Sequence, residues 1–154
     1  MELKATLRVI SEKDCPGRRG VTDGQTYQRL IGWPEIQETD RVRIGRATYK
    51  PVTYEQLHWH PIEACYYVIS CHATVRDLNG KEFPVSAGSI IYAPAGIAGA
   101  HEWQVKESLE LLDIRATNET NRKIQYTVDK KTKRSYIDLE DLKYREAISF
   151  KSHY

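Results

Sequence analysis

The sequence predicts an all-β fold, an antiparallel barrel or double-sheeted jelly roll. Short runs rich in aromatic and β-branched residues, such as Cys65–Ser70, recur at close intervals. Gly, Pro and Asn-Gly pairs punctuate them, and Asn79-Gly80 is a strong hairpin signal. No long helical period interrupts the series before residue 138. Many short strands with such punctuation close into barrels or sandwiches.

The elements follow in order. Ala5–Ile10 is an expected strand, and Cys15–Gly24 is turn-rich, with Pro16-Gly17 and Asp23-Gly24 as breakers. Thr26–Gly32 is a second strand, and Trp33–Asp40 a loop. Arg41–Tyr49 alternates polar and apolar residues, as a half-buried strand does, and Lys50-Pro51 ends it. Strands are then expected over Gln56–His60, Cys65–Ser70, His72–Asp77, Lys81–Val85, Gly88–Tyr92, Glu102–Lys106 and Leu109–Ala116. Thr117–Arg122 reads as a loop and Lys123–Val128 as a further strand. Asp138–Ile148 predicts a short C-terminal helix: Asp138 can cap it, Asp141 and Arg145 sit at i, i+4, and Leu139, Leu142 and Ile148 share a face. The whole is read as one domain over 1–154. Its barrel covers about 41–116, strands precede it in 1–40, and 117–154 is an extension.

With 154 residues the chain can build one real core. The net charge of +2 and the dispersed basic residues give no case for nucleic acid. The one basic run, Lys130–Arg134, reads as a solvated loop. No apolar run reaches the ~18 residues of a membrane span, and the N-terminus lacks a secretory signal pattern. Three cysteines, Cys15, Cys65 and Cys71, are odd in number and lack CxxC spacing. They predict free thiols in a reducing, cytoplasmic setting.

The chemistry concentrates in Leu57–Glu63, Pro94–Gly96 and His101. Side chains at i, i+2 point to one side of a strand, so His58 and His60 face the same way. His101 on another strand can close on them, and three converging imidazoles make a metal site. His72 falls after a turn and is expected at the rim. By strand parity Ala64, Tyr66 and Val68 face in, as does Trp103 with His101; Trp59 and Glu102 face away.

Residues 41 to 114 resemble a single cupin domain, the double-stranded β-helix form of the jelly roll. The first cupin motif, G-x5-H-x-H-x3,4-E-x6-G, is matched by His58 and His60. The second, G-x5-P-x-G-x2-H-x3-N, is matched by Gly88, Pro94 and Gly96. Val52 and Cys71 stand where the first motif has its glycines. Ala64 stands at the glutamate ligand, with Glu63 one residue early. Gly99 stands at the second-motif histidine, and His101 follows two residues later, so a short loop insertion is expected there. Val105 takes the final asparagine position.

The resemblance implies a first shell of His58, His60 and His101 holding one divalent transition metal. Fe2+ is favoured, and Zn2+, Ni2+ or Mn2+ fit the same donors. Three neutral ligands leave about three open positions for an anionic or chelating organic substrate and for dioxygen or water. Three-histidine cupins such as acetylacetone and cysteine dioxygenases suggest a non-haem iron dioxygenase. A non-redox lyase, isomerase or cyclase is the alternative enzyme, and a small-molecule-binding cupin the alternative without turnover. Tyr66 is the candidate proton donor beside the metal. Glu63 is a catalytic candidate only if a slipped turn after Pro61 brings it inward. A homodimer is the family expectation.

Overall fold

A computed structural model describes residues 3–116, 124–139 and 142. The strands are β1 (Gly17–Arg19), β2 (Gln25–Ile31), β3 (Val42–Tyr49), β4 (Thr53–Trp59), β5 (Ala64–Asp77), β6 (Glu82–Ser86), β7 (Ile90–Ala93), β8 (His101–Val105), β9 (Leu109–Ala116), β10 (Tyr126–Val128) and β11 (Ser135–Tyr136). Single 3-10 turns occupy Glu12–Asp14 and Ile97–Gly99. All pairings are antiparallel, in the order β1-β2-β3-β9-β5-β8-β4-β10-β11, with β6 and β7 also on β5.

The long strand β5 makes this a rolled double sheet. Its first half pairs with β9 and β7, and its second half with β8 and β6. Two strands expected separately, Cys65–Ser70 and His72–Asp77, are therefore one strand that changes sheets. Its register shifts between Val68 and Ser70, and Cys71 takes φ +65. A bulge of this kind turns a strand at a barrel corner.

The core lies between the two sheets. Val68, Leu109 and Leu111 are fully buried there, packed with Trp103, Val105, Tyr49 and Tyr66. β9 alternates strictly, Leu109, Leu111, Asp113 and Arg115 inward, so it delivers both apolar and charged groups to the interior. β3 alternates as expected, but its buried phase is Arg43, Gly45, Ala47 and Tyr49 rather than Val42 and Ile44. Gly45 decides this: a Cβ there would lie 1.9 Å from the Tyr27 hydroxyl, which reaches past it to donate to Asp113 Oδ2 at 3.3 Å.

Two expectations need correction. Ala5–Ile10 is not a strand: among the described residues it joins no sheet, its side-chain tie being Arg8 Nη1 donating to Gln37 Oε1 at 2.7 Å, and Leu7 and Val9 are about nine-tenths exposed. β4 begins at Thr53, three residues before the expected start. Of the C-terminal helix, Leu139 and Leu142 are helical and the Leu142 N–H donates to the Asp138 carbonyl. Most of the rest of that segment, with the whole of the 117–122 loop, lies outside the described residues. Among the described residues no helix is long and apolar enough to cross a membrane.

Candidate metal centre

His58, His60 and His101 meet inside the barrel. Their ligand atoms lie within 4.8 Å of one another, and all three side chains are buried. β4 and β8 place His58 directly opposite His101. His60, just beyond β4, keeps the same facing, and the outward Trp59 between them stacks on Tyr126 at 4.1 Å. The insertion before His101 is the 3-10 turn Ile97–Gly99. Gly99 is required there because a Cβ would lie 2.0 Å from the Pro94 carbonyl oxygen.

The two facing histidines are oriented by the same local device. His58 Nδ1 bonds the Gln56 carbonyl at 2.7 Å, and His101 Nδ1 bonds the Gly99 carbonyl at 2.8 Å. A carbonyl only accepts, so each Nδ1 carries the proton and each Nε2 carries a lone pair. Such a backbone anchor is what metal-bound histidines use to fix their tautomer. Burial, and secondarily His58, push the His101 pKa down to about 3, so this ring is the neutral, ligating form at pH 7.

His60 is held differently. Its Nδ1 lies 3.0 Å from Arg115 Nη1, which can only donate. The proton of the neutral ring therefore sits on Nε2 in this arrangement; for Nε2 to hold a metal, that proton shifts to Nδ1 and the Arg115 contact is given up. The donor set thus fits a divalent transition ion: three convergent imidazole nitrogens, two of them already in the ligating tautomer.

Charged and aromatic groups surround the cluster. Arg115 Nε donates to Asp113 Oδ1 at 2.7 Å, an ion pair with both side chains buried. Burial alone would raise the Asp113 pKa, but the guanidinium charges of Arg115 and Arg43 outweigh it and hold the carboxylate below its ordinary range. The Tyr66 hydroxyl donates to His101 Nε2 at 3.0 Å, as its inward parity predicts. Trp103 packs on Tyr66 with ring centroids 5.3 Å apart.

Glu63 lies outside this cluster. Parity turns the buried Ala64 inward and Glu63 outward, where its exposed carboxylate accepts the Tyr92 hydroxyl at 2.8 Å. His72 is exposed on the rim. Glu102 also points away, into an ion network with Arg76, Lys130 and the Tyr54 hydroxyl. Sequence parity did not reveal Glu55. It is 6% exposed, accepts the Tyr49 hydroxyl at 2.9 Å, and lies 3.7 Å from His58 Nε2.

A cavity of about 270 Å³ opens beside the cluster, under β1, β2 and the Trp33 loop. Tyr27, Trp33 and Tyr49 contribute aromatic walls, and Arg43 contributes charge. Three other lining residues touch one histidine each: Glu55 against His58, Arg115 against His60, and Tyr66 against His101. A more open groove, with His101 in its wall, approaches from the β7 side.

Fold and site together define a small double-sheeted β-barrel with a histidine cluster able to hold a metal ion. Residues 45–115 match the family model of the cupin domain, a stretch that holds most of the barrel and all three histidines. No curated protein matches the chain by sequence. Among solved structures it is similar to the polyketide cyclase RemF from Streptomyces resistomycificus, at 16% identity and TM-score 0.69, over 92% of this chain and 94% of that one. An RmlC-like cupin from Shewanella frigidimarina aligns at 12% identity and TM-score 0.60, over 74% of this chain and 94% of that one. The DMSP lyase DddQ from Ruegeria pomeroyi aligns at 16% identity and TM-score 0.56, over 72% of this chain but only 56% of its own. At these identities the likeness is one of fold.

Proposed function

We propose that the chain is a metal-dependent cupin enzyme that moves protons on a flat, enolisable carbonyl compound, in the manner of a cyclase, lyase or isomerase. The observation that carries this is the layout of the cavity: three of its lining residues each touch one cluster histidine. A substrate seated there lies one side chain away from the histidines, across Glu55, Arg115 and Tyr66. A divalent ion on His58, His60 and His101 would supply Lewis acidity toward a carbonyl oxygen.

The chain's own groups supply the rest. Trp33, Tyr27 and Tyr49 offer apolar faces to a conjugated plane. Arg43 and Arg115 offset negative charge as an enolate develops. The Tyr66 hydroxyl lies beside His101 Nε2; with a metal on that nitrogen it is released to give or hold the proton at the carbonyl oxygen. Burial of Tyr49, Tyr66, Arg43 and Arg115 limits competition by water at the inner end of the cavity. The relatives named as a cyclase and a lyase support the same class of chemistry. A non-haem iron dioxygenase remains the second reading, favoured by the uncharged imidazole donors.

The test uses α-tetralone, a planar ketone whose α-hydrogens exchange slowly. The metal-loaded protein in D2O, without oxygen, should exchange those hydrogens for deuterium, as read by NMR. Tyr66→Phe should slow the exchange. Oxygen consumed in step with substrate loss would put the dioxygenase first. Metal bound with neither exchange nor oxygen uptake, here or with acyclic β-diketones, would contradict enzymatic turnover of this substrate class.

A further inference from the structure

We propose that Glu55 is a fourth protein ligand to the ion held by His58, His60 and His101, replacing the carboxylate that Ala64 leaves out of the cupin motif. The inference rests on the metal-centre reading and adds a residue that the motif does not contain.

The first support is a backbone irregularity. Residues 55 and 58 differ by an odd number and would face opposite ways on a regular strand. Across β4 and β8, Glu55 pairs with Trp103 and His58 with His101, so three steps on one strand match two on the other. The extra residue is a β-bulge. It returns His58 to the inner face that already carries Glu55, and both side chains are buried.

The second support is distance. Glu55 Oε1 lies 3.7 Å from His58 Nε2, with the two side chains almost wholly buried, 8% and 2% exposed. A carboxylate oxygen at that separation from a ligating nitrogen can share one ion with it. Two donors each about 2.1 Å from one ion at a tetrahedral angle stand roughly 3.4 Å apart, close to the observed separation.

The third support is orientation. The far oxygen, Oε2, is held by the Tyr49 hydroxyl at 2.9 Å, and Gln25 Nε2 in turn donates to that hydroxyl at 2.7 Å. This buried chain from β2 through β3 fixes the carboxylate with Oε1 toward the histidines. Metal-bound carboxylates are commonly steadied by such outer hydrogen bonds. A fourth, charged ligand lowers the net charge of the divalent site from +2 to +1 and leaves fewer open positions.

The test is metal binding, independent of turnover. Tag-free protein, stripped with chelator, is titrated with Co2+ against a competing chelator while its visible bands are recorded. Glu55→Gln should raise the Co2+ Kd about a hundredfold, the upper end of what even outer partners contribute, and should change the ligand-field bands. Thermal unfolding in chelator shows whether E55Q is folded. If it is not, Glu55→Asp, which keeps the charge but shortens the reach, has to change the same bands. Unchanged bands in E55Q, with or without a change in Kd, would overturn the proposal, because the carboxylate would then lie outside the coordination sphere. If the wild type itself takes up no Co2+, the metal-centre reading fails, and Glu55 fails with it.

Discussion

Replacing Val52 by glycine should stabilise this protein, although it removes a hydrophobic side chain. Val52 takes φ +61, a left-handed conformation that β-branched residues almost never adopt. It is 89% exposed, so the deletion gives up almost no burial. Its N–H donates to the Lys106 carbonyl at 3.1 Å, a bond that glycine keeps. A left-handed L-residue costs about 1–2 kcal/mol. The glycine loses roughly 0.5–1 kcal/mol more backbone entropy on folding. The balance favours V52G by about 0.5–1 kcal/mol, or roughly 1–4 °C in Tm for a chain of this size. Thermal and urea unfolding in chelator would read it, with Val52→Ala as control, because alanine keeps the Cβ clash and should gain much less. A lower Tm for V52G, or an equal gain for V52A, would refute the argument. Val52 is where the cupin pattern has its first glycine, so the prediction ties a departure in sequence to a local strain.

Two further outcomes are expected. Asp113→Asn should cost about 3–5 kcal/mol in urea unfolding at pH 7, since it strands the buried Arg115 charge. Because the Asp113 pKa is depressed in the fold, the stability it confers is present above its ordinary value of 3.8 and is lost as pH falls through the folded value. The gap between wild type and variant should therefore narrow below about pH 4. We also propose that the chain is a homodimer joined through its N-terminal arm, where Leu3, Leu7 and Val9 are almost fully exposed. Light scattering at micromolar concentration should give the mass of two chains, and removal of residues 1–10 should give one; a monomeric wild type would contradict this.

Much of the architecture was legible because it follows from local rules. Asn79-Gly80 makes its turn, β9 alternates, and the i, i+2 histidines face inward with Tyr66 and Trp103 as parity requires. What was hidden depends on breaks in that parity or on distant neighbours. Glu55 joins the site only through a bulge, and no pattern in Thr53–Trp59 announces one. The Arg43 face of β3 turns inward because Gly45 admits the Tyr27 hydroxyl, a contact between strands that periodicity cannot show. Ala5–Ile10 carries the alternation of a strand, yet joins no sheet among the described residues. The two missing motif glycines left a trace: Val52 and Cys71 both keep the positive φ that glycine would have taken.

The proposed chemistry requires a metal ion on His58, His60 and His101. Its most direct test is the metal content of protein purified without a histidine tag, wild type beside His101→Ala. Near one equivalent in the wild type, lost in the variant, is the predicted result, with zinc or iron indicating which chemistry to pursue. No metal in the wild type, even after reconstitution with iron, zinc, nickel or manganese, would contradict it.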